Sequence, residues 1–66
     1  MFDYAKAIRL YRERKFLTQI ELAKILGVSP LSVVRWENGK FAPTMKTKKQ
    51  IYNLLKEANI LLEEVK

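Results

Sequence analysis

An all-α bundle of four or five short helices is the fold class this 66-residue sequence predicts. Three observations predict it. Apolar residues recur at helical spacing, and no segment alternates with the two-residue period of a strand. Residues with short oxygen-bearing side chains, Asp3, Thr18, Ser29 and Thr44, each stand just before such a stretch, where they can cap a helix. The two glycines and two prolines all fall where a helix would stop or start.

The first helix is expected over about Asp3 to Lys15, capped by Asp3, with Tyr4, Ile8 and Tyr11 on one stripe that Lys15 can extend. The second starts at Thr18. Thr18 and Glu21 make a capping box, in which hydroxyl and carboxylate each satisfy a free backbone donor, and Leu17 can staple onto Leu22. Leu22, Ala23, Ile25 and Leu26 give it an apolar face, and Gly27 ends it. The third starts at the cap Ser29 with Pro30 in the first helical position, where its missing N–H costs nothing. Val33 and Trp36 face inward, and Asn38-Gly39 stops it. A fourth, of about Met45 to Glu57 behind Thr44, buries Ile51, Leu54 and Leu55. Ala58-Asn59 breaks it, and residues 60 to 65 form a short fifth helix or continue the fourth; the pattern does not decide between these.

A chain this short is expected to be a single domain, residues 1–66, with a small core. There is no cysteine and no histidine, so disulfides, thiolate metal sites and imidazole chemistry are excluded. With few acids and little room for a pocket, no enzyme, metal, cofactor or small-molecule ligand is expected. No apolar run approaches the roughly 20 residues of a membrane helix, so a cytoplasmic setting is expected. The net charge is +6, from 13 basic and 7 acidic residues. Residues 6 to 49 carry eleven of the basic groups against Glu13, Glu21 and Glu37, whereas Glu57, Glu63 and Glu64 face only Lys66 in the last ten residues. This asymmetry suits a polyanionic partner; the alternative is an ordinary solvated, lysine-rich surface.

Residues 19–38 unite these signals. Two helices joined by a glycine-containing turn form a helix-turn-helix. The motif needs a small residue where the helices cross, which Ala23 supplies, and a left-handed residue in the turn, which Gly27 supplies. Leu22, Leu26, Val33 and Trp36 give it a shared core, with Val28 plugging the turn. Thr18-Gln19-Ile20-Glu21-Leu22-Ala23, Leu26-Gly27-Val28-Ser29 and Arg35-Trp36-Glu37-Asn38-Gly39 together resemble the phage repressor and Cro-type (lambda repressor-like, XRE) helix-turn-helix family, over about Ile8 to Leu55.

That resemblance implies a lambda repressor-like bundle that binds double-stranded DNA, usually as a homodimer, and regulates transcription in a prokaryotic or phage-type, nucleoid-associated setting. It places Ser29, Pro30, Leu31, Val34 and Arg35 on the outer, base-reading face of the recognition helix, about residues 30–38. A guanidinium such as that of Arg35 can bond guanine O6 and N7 together; its alternative is a phosphate contact or an internal ion pair. Leu31 and Val34 would meet thymine methyls, or are simply exposed apolar residues. Gln19, Ser32, Asn38 and Lys40 are phosphate candidates, as are Lys46, Lys48 and Lys49 if the start of the fourth helix abuts the duplex; the alternative for the lysines is a solvated charge run. Arg12 and Glu37 match a structural ion pair of the family. Phe16 stands where the family often has a glycine closing the first helix. A bulky residue disfavours the left-handed conformation, so a different turn is expected there. Pro30 and Leu31 replace polar readers, which implies fewer hydrogen-bonding base contacts.

Two further expectations complete the reading. Ile60, Leu61, Leu62 and Val65 form a C-terminal apolar stripe that either caps the core or pairs with a second subunit. The alternative function is a protein-interaction module that keeps the helix-turn-helix but has lost DNA binding, with Leu31 and Val34 as its docking face.

Overall fold

The computed structural model describes residues 3–60, and within them the caps expected from the sequence set four helices. Helix α1 spans Tyr4–Arg14, α2 Gln19–Leu26, α3 Pro30–Glu37 and α4 Met45–Glu57. Each begins with an oxygen that takes a first-turn N–H. Asp3 accepts from Lys6, Thr18 from Glu21, Ser29 from Ser32 and Thr44 from Thr47. The capping box at α2 is complete, with the Thr18 N–H donating to Glu21 Oε1 at 2.8 Å and the Glu21 N–H to Thr18 Oγ1 at 3.1 Å. Gly27 closes α2 at φ +70.

The Glu21 carboxylate is held below the usual range, first by the Thr18 backbone hydrogen bond and then by the Thr18 hydroxyl. A carboxylate whose folded pKa lies below its unfolded value stabilises the fold above the unfolded value and loses that contribution as pH falls through the folded one. The thermal midpoint should therefore fall as pH is lowered from about 5 to about 3. Glu21→Gln, which keeps an acceptor but does not titrate, should flatten part of that fall; an unchanged pH profile in this variant would count against the box.

Helix α3 packs against both α1 and α2, and α4 closes the bundle chiefly against α1 and more lightly against α2. One core results, built from Ala7, Ile8 and Tyr11 of α1, Leu22, Ala23 and Leu26 of α2, Val33 and Trp36 of α3, and Ile51 and Leu55 of α4. Tyr4, Leu17, Val28 and Leu54 are partly buried against it. Burial raises the Tyr11 phenol above its ordinary pKa, and the nearby Glu57 charge adds to the shift.

Several expectations change. Ile25 is half exposed: at about 100° per residue it lies roughly a quarter turn from the middle of the Leu22, Ala23, Leu26 stripe. Lys15 does not join the α1 stripe but is the exposed C-cap. The fourth helix does not continue past its break, because Asn59 turns left-handed at φ +57 after the cap Ala58. Ile60 then folds back into the core. The expected fifth helix and the rest of the apolar stripe, from Leu61 onward, lie outside the described residues.

Phe16 is the main local surprise. It takes the left-handed conformation at φ +56, as the glycine it stands in for would, although its side chain is 92 % exposed and gains no burial in return. The turn is held instead by its backbone: Phe16 N–H donates to Glu13 O at 3.2 Å and Leu17 N–H to Arg12 O at 2.8 Å. A left-handed residue with a Cβ costs about 1–2 kcal/mol, partly offset in a glycine variant by the greater entropy of the unfolded chain. Phe16→Gly should therefore stabilise the domain by roughly 0.5–1 kcal/mol in urea unfolding. A loss of stability would mean that the ring packs in solution.

Candidate nucleic-acid interface

Helix α3 is locked from behind and open in front. Val33 and Trp36 are buried in the core, and Glu37 is buried at the helix end. The opposite side presents Leu31, Val34, Arg35 and Asn38, spaced i, i+3, i+4 and i+7, which places them on one face. Leu31, Arg35 and Asn38 are exposed and Val34 is half-buried. Pro30 and Ser29 are exposed at the start of the helix. No acidic residue stands in the first turn of α3 or of α4, so the positive ends of both helix dipoles are not offset there.

Glu37 organises the joint between α1, α2 and α3. Its side chain is 5 % exposed and accepts three hydrogen bonds. Arg12 Nε donates to Oε2 at 2.8 Å and Arg12 Nη2 to Oε1 at 3.0 Å, a bidentate pair. Gln19 Nε2 donates to Oε1 at 3.1 Å. The hydrogen bond to Glu37 raises the Arg12 pKa further above its already high value, with burial opposing. Arg12 also donates to Leu17 O at 3.3 Å, and Arg9 Nη2 donates to the Glu37 backbone carbonyl at 2.8 Å. Residues 9 and 12 lie three apart on α1, so both reach the same end of α3. The position of the outer face of α3 relative to α1 and α2 is thus set by the buried Glu37 carboxylate with its three donors and by the Arg9 bond to the Glu37 backbone carbonyl.

The phosphate candidates sort into groups. Asn38, Lys40, Lys46 and Lys49 are exposed. Lys48 is half-buried, with its ammonium 5.2 Å from the centre of the Tyr4 ring, so it ties α4 to α1. The Gln19 amide is engaged by Glu37 rather than lying free. Ser32 Oγ sits 3.0 Å from Ser29 Oγ within the cap of α3. Sequence reasoning missed Arg9 and the Gln19–Glu37 bond. The i, i+3 spacing of Arg9 and Arg12 was the available signal for the first; nothing local signals the second, which joins residues 18 apart in the chain. It also missed Phe41, whose ring centre lies 5.3 Å from Arg35 Cζ.

Among the described residues no group of three acidic, histidine or cysteine side chains is placed to hold a metal ion, and no helix is long and apolar enough to cross a membrane. A shallow depression of about 410 Å³ on α1, lined by Lys6, Arg9, Leu10 and Glu13, carries mixed charges and no convergent catalytic set.

Among the described residues, four helices with a third that is buried behind and exposed in front define a helix-turn-helix protein. A helix-turn-helix family model matches residues 8–57, and the chain belongs to this family, the XRE and lambda repressor-like helix-turn-helix domains. The comparisons with curated proteins and with solved structures return no match.

Proposed function

We propose that this domain is a DNA-binding transcriptional regulator that lays α3 in the major groove of double-stranded DNA. The observation that carries the reading is the outward stripe of Leu31, Val34, Arg35 and Asn38 on a helix whose other face is fixed in the core. A helix presented in this way fits the major groove with its side chains against base edges. Arg35 reads a guanine, and Leu31 and Val34 contact thymine methyls. Lys40, Lys46 and Lys49, with the Gln19 end of α2, contact the flanking phosphates. A single helix reads only a few base pairs, so two copies on two-fold related half-sites complete the site.

Selection of bound duplexes from a random DNA pool, followed by titration at several salt concentrations, tests this. The expected result is a short palindromic site bound with a steep salt dependence. Absence of any salt-sensitive binding overturns the reading. The 53 % exposure of Leu31 supports a second one, a protein-docking module. That reading expects a protein partner displaced by Leu31→Glu and no DNA binding.

A further inference from the structure

Phe41 lies just beyond α3, in a segment that folds back on it. Gly39 turns left-handed at φ +74. Its N–H donates to Trp36 O at 3.1 Å, and the Lys40 N–H donates to Arg35 O at 3.2 Å. Pro43 is buried at the far end of this return. The ring of Phe41 is thereby brought beside Arg35, with the guanidinium carbon 5.3 Å from its centre, within the range of a cation–π contact. Phe41 is itself 58 % exposed, so core packing does not explain its place.

The chemistry of this contact differs from that of an ion pair. A carboxylate would occupy the N–H groups of Arg35, and among the described residues none pairs with it. An aromatic ring attracts the guanidinium charge without accepting its N–H groups in conventional hydrogen bonds, so the five donors remain for another acceptor. The geometry points to Phe41 as a positioning residue that fixes the guanidinium of Arg35 and so sharpens its preference for guanine. This rests on the reading of Arg35 as a base contact. A long, flexible side chain held in one orientation loses less entropy on forming its bidentate bond. The gain falls on the base that accepts both bonds, not on DNA in general.

The test measures binding of the full chain to a duplex selected from a random pool and to the same duplex with the preferred guanine pair replaced by an adenine pair. Wild type, Arg35→Ala, Phe41→Leu and Phe41→Trp are compared. A contact of this kind at an exposed site corresponds to about a two- to fivefold effect. Phe41→Leu should lower the guanine-over-adenine ratio by about that factor, with the thermal midpoint and the affinity for unrelated DNA unchanged. Phe41→Trp should keep the ratio. A Phe41→Leu variant with the wild-type ratio overturns the proposal, as does one that loses affinity equally for all sequences. If Arg35→Ala leaves the ratio unchanged, the assignment of Arg35 fails first and the proposal falls with it. If wild type selects no sequence, the DNA-binding reading itself fails.

Discussion

Arg12→Ala should remove about 3 kcal/mol of stability, a large share of the roughly 3–10 kcal/mol expected of a domain this size. The reason is what it leaves behind. Glu37 is 5 % exposed, and without Arg12 its carboxylate keeps only the Gln19 amide as a side-chain partner. Truncating one side of a buried pair strands the other charge, and costs about 3–5 kcal/mol when both are fully buried. Arg12 retains 22 % exposure, which places the expected loss at the lower end. Urea unfolding measures it. In the double variant Arg12→Ala/Glu37→Ala the loss should be clearly less than the sum of the two single losses, because the stranded charge is gone. A loss below about 1 kcal/mol for Arg12→Ala would reduce the pair to an ordinary surface contact.

Arg35→Ala should leave the fold intact and weaken binding to the selected site by about five- to 150-fold, the range for one bidentate guanine contact. Arg35 is exposed and belongs to no buried network, so the thermal midpoint should move little. The loss should fall on one base position, whereas Lys46→Gln or Lys49→Gln should weaken binding to all sequences and reduce the salt slope by about one phosphate each. Competition binding with single-base variants of the site separates the two patterns. An Arg35→Ala loss spread evenly over all sequences would make Arg35 a phosphate contact.

These two arginines also show how far the sequence can be read. The four caps, the glycine at 27 and the apolar spacing of Leu22, Ala23, Leu26, Val33 and Trp36 act over a few residues. Each has a local cause that a sequence displays. Ile25 was misplaced because an apolar residue at the margin of a stripe is consistent with either face until neighbouring helices decide how wide the buried arc is. Phe16 was misread for the opposite reason. Its side chain argues against the left-handed turn, yet the backbone hydrogen bonds from Phe16 and Leu17 back to the last turn of α1 hold it.

By itself, then, the sequence determined an all-α helix-turn-helix with a basic body, the caps that start its helices, and an outer face of α3 that includes Leu31 and Arg35. Only the tertiary structure decided how the side chains around that face are engaged. Gln19 and Arg9 converge on Glu37 from 18 and 28 residues away, Lys48 lies over Tyr4, and Phe41 folds back to Arg35. Local hydrogen bonding and periodicity are written in neighbouring residues. Pairings across helices depend on how the helices pack, and so appear only once the core is assembled.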